Sequence, residues 1–124
     1  MLDLGIVVDE RAAEPPSEQV WAQIAGMIAG GQLLPGDRLP TVRALAADLG
    51  LAANTVARAF KQLETAGLVE THSRAGTTVA SGRHTSQVAL GVLASRYAAA
   101  ARDAGLDASA AVALVRKAFT SDQA

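Results

Sequence analysis

The chain has 124 residues, a formal net charge of −1, an apolar half with only 3% aromatics, and no cysteine. That length suits one domain or one small domain with an appendage, and the missing cysteines exclude disulfides and thiolate metal sites and fit a reducing cytoplasm. No apolar run reaches membrane-spanning length and no basic-then-hydrophobic leader opens the chain, so a soluble, cytoplasmic protein with no membrane partner is expected.

Charge is unevenly spread. Residues 1–30 sum to −4, residues 31–83 to +2 and residues 84–124 to +1. A modest positive surplus in the middle of a near-neutral chain is the footprint of a localised nucleic-acid contact rather than of a sticky basic protein. Taken in order, Leu4-Gly5-Ile6-Val7-Val8 is a short β-branched run that reads as a strand. Asp9 to Pro16 is acidic and proline-terminated, a linker. Ser17 reads as a cap opening a helix to about Gly30, with Val20, Ile24, Met27 and Ile28 as its buried stripe and Trp21 at the edge. Gly30-Gly31 stops it, and Pro35-Gly36 marks a turn.

Asp37 to Val69 carries the strongest pattern. Val42, Leu45, Ala46 and Leu49 recur at i, i+3, i+4, i+7, one face of a helix. Thr41 can cap it, and Gly50 ends it, with Leu51 able to fold back over the last turn. A second helix repeats the spacing with Val56, Ala59, Phe60 and Leu63. Asn54, Arg58 and Lys61, with Thr55 and Gln62 near the edge, project from its other side. Two helices joined by a short glycine-containing turn form a helix-turn-helix, and a front of amide, hydroxyl and cationic groups is what a DNA major groove recognises.

Glu70 to Ala80, rich in Thr and Val with Gly76 near its middle, predicts two short strands and a tight turn: a wing. The N-terminal run could add a third strand, since a lone hairpin is marginal. Ser81 to Thr85 reads as a hinge. Residues 86–104 then predict a long alanine-rich helix with Val88, Leu90, Val92, Leu93 and Tyr97. Gly105 stops it, and Asp107 can cap a last helix over 108–119 carrying Ala111, Val112, Leu114, Val115, Ala118 and Phe119. These two helices are too apolar for water and too few to enclose a ligand cavity of ordinary size. A second copy is the economical cover, which nominates Leu90, Leu93, Tyr97, Val112, Val115 and Phe119 for dimerisation. The expected architecture is mostly α with a small β-wing: a winged helix-turn-helix over residues 1–80 followed by a two-helix dimerisation segment over 81–124.

From about Pro15 to Val79 these residues resemble the N-terminal domain of the GntR family of bacterial transcription regulators. The match includes Ile28-Ala29-Gly30, then Gly31-x-Leu33-x-Pro35-Gly36-Asp37-x-Leu39-Pro40-Thr41-x-Arg43-x-Leu45-Ala46. It continues through Asn54-Thr55-Val56-x-Arg58-Ala59-Phe60, Leu63-Glu64-x-x-Gly67-Leu68-Val69 and Gly76-Thr77-x-Val79. The Asn-Thr-Val-x-Arg-Ala element and the two-helix tail are similar to the YtrA-like branch. The resemblance implies that Arg43 contacts backbone or base at the groove edge. Asn54 and Thr55 would start the recognition helix, with Arg58 one turn on. The wing around Gly76 and Thr77 would approach the minor groove or the backbone. The chain departs from the branch at Ala52-Ala53, where a polar residue and a proline are usual, and at Arg74, where glycine is usual.

Plainer roles exist for the same residues. Arg58 and Lys61 could be a solvated face, Arg43 could pair with Asp37 or Asp48, and Asn54 could be an N-cap. His72 and His84 lack partners at ligand spacing, so no metal is expected. No arrangement activates a nucleophile, so neither catalysis nor a cofactor is expected. The expected function is a transcription regulator, most simply a repressor, that binds an inverted-repeat operator in double-stranded DNA as a homodimer. Base contacts would come from Asn54, Thr55, Arg58 and Lys61, with support from Arg43, Arg74, Gly76 and Thr77. A small-molecule effector is compatible with this reading. The rival is a winged-helix adaptor for protein–protein assembly that binds no operator.

Overall fold

The computed structural model describes residues 4–72, 76–82 and 85–122. Among them are five helices and one two-stranded antiparallel sheet. Helix α1 runs Pro16–Ala29, α2 Val42–Leu49 and α3 Ala53–Thr65; strands β1 (Val69–His72) and β2 (Gly76–Val79) form the wing; α4 (Thr85–Asp103) and α5 (Ala108–Asp122) complete the chain. It falls into two compact units, Met1–Val92 and Leu93–Ala124.

In the first unit α3 is the hub, packing against α1, α2 and β1. Its face of Val56, Ala59, Phe60 and Leu63 is buried, as are Val20, Ile24, Ala25 and Ile28 of α1 and Leu45 and Ala46 of α2. Met27, expected in the α1 stripe, is only half-buried. Fully burying each such aliphatic side chain stabilises the fold by about 1.5–3 kcal/mol, so three short helices suffice with Phe60 as the one aromatic among these buried positions. Leu39, Val69 and Val79 add the inner face of the wing.

Several helix ends follow local chemistry, and the expected Ser17 cap does not. Thr41 Oγ1 accepts the Ala44 N–H at 3.0 Å, the expected cap. Gly50 is left-handed (φ 69°), and the Leu51 N–H returns to the Ala46 carbonyl at 2.9 Å. Gly67-Leu68 repeats this at the end of α3, where the Leu68 N–H reaches the Leu63 carbonyl at 2.9 Å and the Leu68 side chain is fully buried. Both are the bond that satisfies an orphan carbonyl in a Schellman ending, and both need a residue that tolerates positive φ. The exception is Ser17. Proline, with no N–H to satisfy and φ preset, is suited to a helix's first position; α1 therefore starts at Pro16 with Pro15 as an N-cap lacking any side-chain bond, and Ser17 is buried instead.

The N-terminal run is not a strand, and the wing takes no partner from it. Residues 4–8 take no regular secondary structure, with Gly5 at φ 64°, and pair in no sheet. Two glutamines one turn apart on α1 hold this region by their side-chain amides. Gln23 accepts the Val7 N–H at 3.1 Å and donates to the Val7 carbonyl at 2.7 Å. Gln19 does the same for Asp9, both at 2.8 Å, and also donates to the Glu14 carbonyl. An amide side chain carries the same donor and acceptor pair as a peptide, so the stacked glutamines replace a neighbouring strand. The third element against the wing is the segment just before α2. The Gly36 N–H reaches the Val79 carbonyl at 2.9 Å, the Val79 N–H the Asp37 carbonyl at 2.8 Å and the Leu39 N–H the Thr77 carbonyl at 2.8 Å.

Of the expected hinge, residues 83 and 84 lie outside the described residues. Thr85 opens α4, its hydroxyl 2.8 Å from the Gly82 carbonyl. Thr85 and Ala89 are buried, and the first turns of α4 belong to the first compact unit, which extends to Val92. In the second unit the Asp107 carboxylate caps α5 by accepting the Ala110 N–H at 2.9 Å. The Tyr97 hydroxyl donates to the Ala111 carbonyl at 2.6 Å.

Candidate nucleic-acid interface

Helix α3 turns one face inward and so sends the other out. At 100° per residue the positions opposite Val56, Ala59, Phe60 and Leu63 are Asn54, Arg58 and Lys61. All three are exposed, and Thr55, on the flank, is half-buried. Asn54 is not the cap: the helix begins at Ala53, Ala52 holds the N-cap position, and no side chain bonds there. The asparagine amide is consequently not used in capping, and the first-turn N–H groups, which carry the positive end of the helix dipole, receive no side-chain cap bond.

The cations differ in their surroundings. Arg43, on the first turn of α2, and Arg58 are exposed, and among the described residues no carboxylate pairs with either. Asp37, one partner considered for Arg43, is used otherwise: its Oδ2 accepts the Leu34 N–H at 2.8 Å and closes the turn at Pro35-Gly36. Lys61 stands 3.7 Å from Glu64 with three-quarters of its side chain exposed; such a pair contributes little. Lys61 also edges a shallow hollow of about 300 Å³ shared with Trp21, Gln62, Thr65, Ala66 and Val92.

On the wing, Val69↔Val79, Glu70↔Thr78, Thr71↔Thr77 and His72↔Gly76 are cross-strand partners. Alternation puts Val69, Thr71, Thr77 and Val79 on one face, where Val69 and Val79 are buried, Thr77 is half-buried and Thr71 is exposed, and Glu70, His72, Gly76 and Thr78 on the other. His72 Nε2 lies 3.1 Å from Thr78 Oγ1 and 3.9 Å from Glu70 Oε2. Gly76 has φ 76°, a conformation that favours glycine. Arg74 and His84 lie outside the described residues. Among those described, no group of three or more His, Cys, Asp or Glu side chains could hold a metal, and no helix is long and apolar enough to cross a membrane.

One cation on this surface has no place in the helix-turn-helix periodicity. Arg38 lies in the segment paired to β2, opposite Thr78. Its signal in the sequence is the two-residue alternation that turns Leu39 inward and Arg38 outward, masked by the neighbouring turn and proline.

An exposed polar front on a helix held by a buried back, beside a two-stranded wing, is the arrangement shared with known regulators. A model of the family described as bacterial regulatory proteins, gntR family, matches residues 16–79. The HTH-type transcriptional regulator Rv1152 of Mycobacterium tuberculosis is 45% identical over 105 residues, 85% of this chain and 86% of its own. The HTH-type transcriptional repressor YtrA of Bacillus subtilis is 37% identical over 83 residues, 67% of this chain and 64% of its own. The structure of the AraR DNA-binding domain in complex with operator ORE1 superposes with a TM-score of 0.53 at 29% identity, covering 59% of this chain and 89% of that one. The chain belongs to the GntR family of DNA-binding transcription regulators, in its YtrA-like branch.

Proposed function

We propose that this protein is a repressor that binds an inverted-repeat operator as a homodimer in the cytoplasm. The observation that carries the reading is the exposed front of α3, with Asn54 and Arg58 projecting from a helix whose Val56, Ala59 and Leu63 are fully buried. Each copy inserts α3 into a major groove, and the two grooves are one helical turn, about 34 Å, apart. Asn54, Thr55, Arg58 and Lys61 discriminate bases, each good bidentate contact contributing roughly 1–3 kcal/mol. Arg43 and the wing at Arg74, Gly76 and Thr77 fix the register on the backbone. The winged unit and the helical tail divide the work, residues 1–80 binding DNA and residues 81–124 pairing the copies.

The pairing surface is Leu90, Leu93, Tyr97, Val112, Val115 and Phe119. Leu90, Val112 and Phe119 are 56, 49 and 68% exposed, an apolar display that a second copy would cover. The name of the YtrA relative and the AraR operator complex support repression and operator binding, respectively. Selection of bound duplexes from a random pool, followed by footprinting, tests the whole reading. The expected product is a two-fold symmetric site with half-sites one turn apart, and Arg58→Ala should flatten the preference for it over scrambled DNA. Enrichment of a single, unrepeated half-site would sink the homodimer, and no enrichment at all would sink operator binding.

A further inference from the structure

The segment before α2 gives the wing a cation that the recognition helix does not provide. The bonds of the bridge flank the Arg38–Thr78 pair: the Leu39 N–H donates to the Thr77 carbonyl and the Val79 N–H to the Asp37 carbonyl, both at 2.8 Å. That pattern makes it a non-hydrogen-bonded pair, whose side chains stand closest across a ladder. Gly76 is two residues from Thr78, hence on the same face and diagonal to Arg38. Lacking a side chain, it leaves that diagonal open, and the guanidinium lies over it. A Cβ at position 76 would stand 3.5 Å from Nε and 3.6 Å from Nη2.

The charge is therefore carried by a fixed strand. Ladder bonds hold the backbone on both sides of Arg38, and Leu39 and Pro40 are buried immediately after it. The side chain itself is exposed, on the face opposite the inward Leu39, Val69 and Val79. Glu70 is the carboxylate of that face, and it stands beside His72; no carboxylate among the described residues pairs with Arg38. An unneutralised guanidinium lying over Gly76, on a backbone fixed by ladder bonds, is a cation positioned to meet a polyanion.

We propose that Arg38 is a DNA-contacting residue that enters the minor groove beside the wing, an assignment that rests on the DNA-binding reading and adds to it a residue and a groove. A guanidinium sheds water more readily than an ammonium, and the narrow groove of A·T-rich DNA carries an enhanced negative potential that attracts it.

The test uses the full chain and the duplex that the wild type itself enriches from a random pool. Arg38→Ala, Arg38→Lys and Arg58→Ala are titrated in parallel across a salt series, with thermal midpoints recorded. Arg38→Ala should weaken binding about tenfold and shallow the salt slope by about 1, with its midpoint unchanged. Arg38→Lys should keep the salt slope yet lose about fivefold in affinity. A minor-groove-filling oligoamide should compete with the wild type but not with Arg38→Ala. Wild-type binding by Arg38→Ala, while Arg58→Ala loses its preference, would overturn the proposal and leave the α3 reading intact. Full binding by Arg38→Lys together with indifference to the oligoamide would overturn the minor-groove assignment. Failure of the wild type to enrich any duplex would remove both readings together.

Discussion

Helices α3 and α5 are built alike and are treated oppositely by the fold. They have 13 and 15 residues, and each carries aliphatic and aromatic groups at helical spacing. In α3 the groups at Val56, Ala59 and Leu63 have no exposed surface. In α5 Val112, Leu114, Val115 and Phe119 are 49, 52, 40 and 68% exposed, and among its described side chains Ala111 alone is buried. The difference is what lies opposite. Helix α3 is flanked by α1, α2 and β1, whereas the described part of the second unit offers α5 little besides Ala101 and the Tyr97 hydroxyl. Periodicity states that a helix has an apolar face; it does not state which surface covers it.

The contrast can be broken from either side. The largest effect is expected from Leu63→Ala. Deleting a fully buried leucine in the hub costs about 2–5 kcal/mol, transfer loss plus an unrelaxed cavity, and urea unfolding should show the midpoint falling by the corresponding amount. A loss below about 1 kcal/mol would mean that the α3 back is not the core it is described to be. The double change Val112→Asp, Phe119→Asp addresses the other helix. Sedimentation should show a concentration-dependent dimer becoming a monomer, while the unfolding free energy of the winged unit moves by less than about 0.5 kcal/mol, as for surface positions. Winged-unit destabilisation comparable to Leu63→Ala would place those side chains inside their own subunit.

A smaller effect sharpens the picture at the edge of the core. Gln23→Ala removes both amide bonds to Val7 and should cost about 1 kcal/mol. Hydrogen exchange at the Val7 amide should accelerate, with core amides unchanged. No acceleration there would show that Ile6, which is 8% exposed, anchors the N-terminal run without help from the glutamine.

The parts that were readable in the residues are those whose cause is local. Val42-Leu45-Ala46-Leu49 and Val56-Ala59-Phe60-Leu63 announce helices because side chains three and four apart share a face. Thr41, Gly50 and Asp107 mark ends because a hydroxyl, a left-handed backbone or a carboxylate satisfies groups within a few residues. The exposed front of α3 at Asn54, Arg58 and Lys61 follows from the same arithmetic. What escaped was decided at longer range. A β-branched run at Leu4–Val8 has strand propensity, but the edge of β2 is occupied by residues 36–39 instead. Strand propensity describes a fit to a half-buried surface and does not choose a partner. Arg38 is not legible for the same reason, since its significance lies in standing opposite Thr78 and diagonal to Gly76.

By itself, then, the amino-acid order determined the helices of the winged unit, the Thr41 cap and Gly50 ending of α2, and the polarity of the outer face of α3, because each depends on neighbours within about one or two helical turns. Tertiary structure alone decided three things: that glutamines rather than a strand hold the N-terminal run, that the segment before α2 completes the wing, and that the start of α4 joins the first unit. Each is a pairing between groups distant along the chain, and only the folded backbone brings such groups within bonding distance.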